Sequence, residues 1–274
     1  MKYNPTTESD FLAAAAFNHK TPAQLNDSLR ALVKAAFPNC KNDDLIQCGI
    51  CNRFSKPDIY LQIDGIRRYI SLKSGGSESV HTEHIKNVIL FLRSIGISPT
   101  TQKTLLRYHY GDGTLTGTGE VRHLASELYP MMKEEIARAN KELNQFRIIE
   151  ASLERFVFQG NPIHPYAAEF IAFGDPTYFV FASKEDIVKG VLNDKYDHIN
   201  YPHIGPLMIQ PFLRDPERKS PHPEKRDIAH FRWPNLLGCV QKIAYRKQRA
   251  ERMRKIAQYQ KAKADNSKNT AVLQ

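Results

Sequence analysis

No stretch of the chain approaches the roughly eighteen consecutive apolar residues that a membrane-crossing helix needs. Its start, Met1-Lys2-Tyr3-Asn4-Pro5, lacks the basic-then-apolar pattern of a secretory signal, and Ala13 to Ala16 is too short a run to serve either purpose. These absences lead us to expect a cytoplasmic chain made without export. Cysteine is scarce, four in 274 residues, which excludes a disulfide-built scaffold. Cys48-Gly49-Ile50-Cys51 has the spacing of half a zinc knuckle, but a second such pair is missing. Structural zinc would need Cys40 as third ligand and a His as fourth, with Cys239 left alone. Reduced, partly buried thiols are the reading we favour. The glycine-rich stretch Gly111, Gly113, Gly117 and Gly119 lacks the Gly-Lys-Ser/Thr ending of a phosphate-binding P-loop, which leaves a turn or mobile loop.

What is present is a chain that can bury one large core or two modest ones, with 41% hydrophobic residues. Charge is uneven. From Val240 to Gln274 ten Lys and Arg residues face only Glu251 and Asp265, so this segment carries +8 of the net +10. Rich in Lys, Arg, Ala and Gln, and without Pro or Gly, it predicts a helix to about Ala264 that frays afterwards. Such a helix, with Arg246 and Lys247 near its start, suits a phosphate backbone. The plainer alternative is a solvated helix that aids solubility.

The densest chemistry lies between Pro57 and Lys73. Ile59, Leu61 and Ile63 alternate with Asp58, Tyr60 and Gln62, and Ile70 and Leu72 alternate with Tyr69, Ser71 and Lys73. That is the two-residue period of half-buried strands. Asp64-Gly65 between them predicts a type I′ turn, because both residues tolerate positive φ. One face of the hairpin is apolar and the other collects Asp58, Gln62, Ser71 and Lys73. A carboxylate suits a hard divalent cation, and a neighbouring ammonium suits phosphate and water. An ordinary amphipathic hairpin with a surface ion pair has the same pattern.

Pro57-Asp58, a hairpin, and then Ser71-Leu72-Lys73 resemble the PD-(D/E)xK nuclease superfamily, which includes most restriction endonucleases. The resemblance spans roughly residues 20 to 95 and implies an α/β, restriction-endonuclease-like fold: a mixed central sheet flanked by helices. It implies Mg2+, double-stranded DNA as substrate and a homodimer, since two strands need two active sites. Ser71 stands where an acidic residue is usual, and members with Ser there recruit a Glu from the following helix. The resemblance then gives Asp58 and a Glu as metal ligands and Lys73 as the group that positions water. Glu78 and Glu83 are both open as that Glu. A helix from Ser79 to Arg93 with Ile85, Val88, Ile89 and Leu92 as its stripe favours Glu78 by phase, whereas Ser79 as N-cap would leave Glu78 in a loop. His81 reads as a core residue satisfied by a backbone carbonyl, ahead of a catalytic role. The loop from Lys73 to Ser77, with Gly75 and Gly76, suits a phosphate oxygen or a plain connection equally.

Elsewhere the pattern predicts a helix from Thr21-Pro22 to about Phe37, with Leu25, Leu29, Leu32 and Val33 on one face. Leu105 to Tyr110 reads as a strand, and Val121 to Tyr129 and Met131 to Phe146 as helices broken at Pro130. Phe156 to Phe158, Phe170 to Phe173 and Tyr178 to Ala182 read as strands, and Ser183 caps a helix to Leu192. Residues 197 to 236 hold seven prolines and His198, His203, His222 and His230, without metal-ligand spacing. We read them as a long structured loop with short strands, in which Gln210, Arg214, Arg226 and Arg232 are the candidates for reading bases. The expected division is a catalytic core at 1–150, a second lobe or recognition region at 151–239 and a basic helical tail at 240–274. Two functions fit: a Mg2+-dependent endonuclease, most simply a type II restriction enzyme, or a nucleic-acid binder on a degenerate nuclease fold. If neither Glu78 nor Glu83 lies near Asp58 and Lys73, the binder takes precedence.

Overall fold

The computed structural model describes residues 8–52, 55–73, 78–160, 166–196, 200–214 and 220–272, without the side chains of 8, 9, 11 and 261–272. Helices α1 (Glu8–Phe17) and α2 (Asp27–Ala36) precede the strands β1 (Gln47–Ile50), β2 (Ile59–Ile63) and β3 (Ile66–Lys73). Strand β4 (Ser79–His84) leads into α3 (Ile85–Ser94), α4 (Pro99–Tyr110), α5 (Ala125–Leu143) and α6 (Phe146–Ser152). Then come β5 (Phe170–Asp175), β6 (Tyr178–Ser183), α7 (Lys184–Leu192), β7 (His203–Ile204), β8 (Leu207–Pro211), β9 (Ile228–Arg232) and α8 (Leu236–Val272).

The fold is mixed α/β, with two sheets flanked by helices. One sheet runs β1-β2-β3-β5-β6, antiparallel except for the parallel β3–β5 pair, and the other runs β4-β9-β8-β7, antiparallel throughout. The β2–β3 hairpin closes on Asp64 and Gly65 with φ of 50° and 77°, the left-handed pair expected of a two-residue turn. Its inner face, with Ile59, Leu61, Ile63 and Ile70, packs under α1 and α2 against Phe17, Leu32 and Val33. Phe170 and Ala172 of β5 continue that face.

The opposite face is divided. Ser71 and Lys73 pair with Ile171 and Phe173 of β5, which lie in the larger core with Val88, Phe156 and Phe231. On β2 and the turn end of β3, the same face carries Tyr60, Gln62, Arg67 and Tyr69, which are half-buried or exposed. The Asp58 site therefore sits where the covered part of this face gives way to the open part.

Several expected elements differ. Residues 79–84 are a strand, so the expected Ser79-to-Arg93 helix starts only at Ile85, with His84 as N-cap accepting from Lys86 N–H at 3.2 Å. Strand β4 is stabilised by β9, about 150 residues later, a partner no local pattern could reveal. Leu105 to Tyr110 is helical: Ser98 caps α4, Pro99 opens it and Gly111 ends it at φ 66°. Helix α5 runs unbroken through Pro130, because Leu128, Met132, Ile136 and Leu143 form a continuous buried stripe. Phe156 to Phe158 lie in a π-helical turn, Leu153–Gln159, where full burial erased any period.

Thr21-Pro22 opens only a 3₁₀ turn, Pro22–Gln24, and α2 starts after Asn26, whose Oδ1 accepts from Leu29 N–H at 3.0 Å. Helix α8 starts at Leu236 and extends to Val272, past the expected end. Strands β5 and β6 and the Ser183-capped α7 agree with expectation. Strands from both sides of residue 150 pair within each sheet, so position 150 marks no break between the sheets. Among the described residues no helix is long and apolar enough to cross a membrane.

Candidate active site

Asp58 precedes β2, and Ser71 and Lys73 end β3, on the same face. Leu72 N–H donates to Asp58 Oδ2 at 2.6 Å and the Ser71 hydroxyl donates to the same oxygen at 3.2 Å. Lys73 Nζ donates to Ser71 Oγ at 2.8 Å. Ser71 is buried and relays between ammonium and carboxylate. Asp58 is fixed through its backbone as well, its N–H donating to Ile70 O at 2.9 Å and its carbonyl accepting from Cys51 N–H at 2.8 Å. Oδ1 has no hydrogen-bond partner among the described residues. Burial pushes the Asp58 carboxyl above its ordinary range, Lys73, Leu72 N–H and Ser71 pull against that, and Asp10 of α1 adds to the rise.

Lys56 joins this group to a second one. Its Nζ donates to the carbonyl of Val80 on β4. Burial, reinforced by Lys73 and partly offset by Asp58, lowers its ammonium to about 7. Arg155 and Glu83 also act on it, so Lys56 lies between the Asp58 relay and the Glu83 cluster. Gly160 lies against its stem at φ 74°, where a Cβ would come within 2.7 Å of Lys56 Cγ.

Neither glutamate is disposed as expected. Glu83 Oε1 accepts from Arg155 Nη2 at 2.6 Å and Oε2 meets His81 Nε2 at 3.2 Å. Burial raises the Glu83 carboxyl, but His81 and Arg155 outweigh it and hold it below the ordinary range. Glu78 is ion-paired with Arg232, and its carbonyl accepts from Trp233 N–H at 2.7 Å. The phase argument fails because neither residue is on a helix. Along β4, Glu83 shares a face with His81, whose ring packs against Phe156 and Phe231. His81 is core-packed as expected, but its partner is the Glu83 carboxylate and not a backbone carbonyl.

Among the described residues no three His, Cys, Asp or Glu side chains converge as a metal cage. The donors near Asp58 are nevertheless hard oxygens. Mg2+ keeps several waters and takes one or two carboxylates with substrate phosphate oxygens, so Asp58, with Asp10 near it, fits that ion. Zinc is poorly served: Cys40, Cys48 and Cys51 are free, and burial pushes the thiols of Cys48 and Cys51 up to about 12. The expected phosphate loop, 74–77, and His198 lie outside the described residues.

The base-reading candidates are scattered. Arg214 stacks on Tyr108, 5.2 Å from its ring centre, and donates to His123 O at 3.0 Å. Arg226 lies in a 3₁₀ turn, its carbonyl facing His109 Nε2 at 2.8 Å. Arg232 holds Glu78, and Gln210 lies on β8 opposite His230. On α8, Arg246 is exposed and Lys247 is ion-paired with Asp186 of α7. Lys56 and Asp10 were absent from the sequence-based set. Lys56 adjoins Pro57-Asp58, a proximity that could have flagged it, whereas Asp10 arrives only through the packing of α1.

No family model matches this chain, and no curated protein matches it. Among solved structures it is similar to the restriction endonuclease MspI in complex with its cognate DNA, at 13% identity over 76% of this chain and 78% of that chain. The TM-score is 0.40, and a likeness of that size bears no weight for fold or chemistry.

Proposed function

We propose that this protein is a Mg2+-dependent endonuclease of the PD-(D/E)xK type that cleaves double-stranded DNA, most simply as a type II restriction enzyme acting as a homodimer. The observation that supports it is the relay Lys73–Ser71–Asp58 at paired strand ends. Asp58 would hold the cation, its Oδ2 being pinned by Leu72 N–H and Ser71 and its Oδ1 left for a ligand. Bound there, Mg2+ supplies Lewis-acid polarisation of the scissile phosphate. Lys73 orients the attacking water and offsets charge on the phosphoryl oxygens. Ser71 holds the ammonium at hydrogen-bond distance and keeps it from collapsing onto Asp58. Glu83, engaged by Arg155 and His81, would be the supporting carboxylate for the ion rather than the primary one. Glu78, tied to Arg232, is the weaker choice.

A second reading, a nucleic-acid binder on a nuclease fold, is favoured by that same engagement of Glu83 and Glu78 by arginines. Plasmid digestion with and without Mg2+ separates the two. The enzyme gives discrete fragments that require Mg2+, and Asp58→Ala and Lys73→Ala lower the rate at least about 100-fold, as loss of a metal ligand or a proton-handling group does. Retarded DNA without cleavage in any divalent cation, with wild type and both variants alike, establishes the binder.

A further inference from the structure

The open part of the catalytic sheet face carries a stack that the cleavage chemistry does not use. Tyr60 and Tyr69 are cross-strand partners, their ring centres 6.4 Å apart. The outer end of the Tyr60 ring reaches over Gly49 of β1, where a Cβ would come within 2.6 Å of it, so glycine leaves the ring room in this position. The Arg67 guanidinium covers Tyr60 at 4.4 Å. Arg67 Nε donates to Gln62 Oε1 at 2.7 Å, and Gln62 Nε2 donates to Gln47 Oε1 at 2.8 Å, which holds the guanidinium plane in place. Tyr166, from the segment before β5, stacks on Tyr69 at 4.7 Å and 18° and is 46% exposed.

A cross-strand pair explains Tyr60 and Tyr69, since such pairs stabilise hairpins. It leaves unexplained why a third ring from a distant segment stacks outside them, and why a locked guanidinium plane remains exposed. Flat π faces and guanidinium planes are what unpaired bases stack on, and in a duplex those base faces are already covered. Tyr69 is two residues before Ser71 on the same strand face, so the stack leads directly to Lys73 and Asp58.

We propose that Arg67, Tyr69 and Tyr166, seated on Tyr60, form a stacking platform for a single-stranded DNA segment adjoining the Asp58 site. The substrate would then present unpaired bases beside the cleaved bond. This rests on the nuclease reading for the neighbouring site and goes beyond its duplex substrate, adding DNA with unpaired bases at the cleaved bond, while strand binding itself requires no cleavage.

Fluorescence anisotropy of a labelled 12-nucleotide single strand, in EDTA, tests the platform. Tyr166→Ala, Tyr69→Ala and Arg67→Ala should each weaken binding roughly 5- to 100-fold, the range of one lost base stack. Tyr166→Phe and Tyr69→Phe should bind as wild type, and affinity for a blunt duplex of the same sequence should be unchanged in all. Single-strand affinity insensitive to the alanine variants, or equally weakened by the phenylalanine variants, overturns the platform. Tighter binding of the matching RNA overturns the assignment to DNA. Wild-type protein assayed for both activities keeps the inferences apart: intact, tyrosine-dependent single-strand binding with no Mg2+-dependent cleavage of duplex or flap DNA means that the nuclease reading has failed and the platform stands.

Discussion

A half-buried and a buried titratable residue show how position decides what one side chain does. Asp58 sits among groups that can compensate its charge, and its burial serves a site. His109 on α4 is almost wholly buried, with one ring nitrogen facing Arg226 O at 2.8 Å and Arg214 and Arg122 acting on it from nearby. Burial, with those two cations, lowers its pKa from 6.5 to about 4, while the Arg226 carbonyl and Asp227 oppose the fall. In that window the unfolded chain binds a proton that the folded chain refuses, so stability falls as pH drops from 6.5 towards 4. His109→Gln keeps a donor for the carbonyl and removes the titration. Thermal melting across pH 4 to 7 should therefore fall more steeply for wild type than for the variant. Parallel curves would mean that His109 is charged in the folded protein.

At the scale of elements, a single carboxylate ties α4 to α5. Glu142 accepts from Ser98 N–H and from Ser98 Oγ, both at 2.7 Å, and from the Thr101 hydroxyl, so it completes the N-terminus of a neighbouring helix. Glu142→Ala should lose about 1–3 kcal/mol, the range for hydrogen bonds to a charged, partly buried acceptor. Chemical denaturation gives that value directly, and a loss within error of zero would show that Ser98 caps α4 unaided. Elements held by such distant contacts are the ones that local pattern missed. Leu105 to Tyr110 looked strand-like through its Tyr and Leu content, yet the Ser98-Pro99 start and Gly111 stop enclose a helix. The hairpin was legible because period, turn and chemistry coincide within about fifteen residues. Asp58, Ser71 and Lys73 met as their alternation required. Glu83 was named, but its strand and its arginine partner were not, because both depend on segments about 70 and 150 residues away.

Over the whole molecule, charge and packing separate along α8. Leu236, Val240 and Ile243 are buried in the larger core, and Lys242 and Lys247 reach Asp194 and Asp186. From Tyr245 to Gln260 every residue is exposed, so the helix leaves the body as an arm. Residues 245 to 272 extend roughly 42 Å at the α-helical rise of about 1.5 Å per residue. Such an arm contributes little to the core but concentrates cations where a phosphate backbone can meet them. Ending the chain after Lys247 removes seven Lys and Arg residues, from Arg249 to Lys268, with Glu251 and Asp265, and keeps the Asp186 contact. The melting temperature should stay within a degree or so of wild type, since the deleted side chains described here touch no core. DNA affinity should fall, and the slope of log K against log salt should flatten by up to about 6 if all seven cations contact phosphates, at roughly 0.9 per contact. The relay of Asp58, Ser71 and Lys73 is untouched, so cleavage at saturating DNA and Mg2+ should persist. An unchanged salt slope would return α8 to the role of a solvated helix and leave nucleic-acid affinity to the sheet face around the Asp58 site.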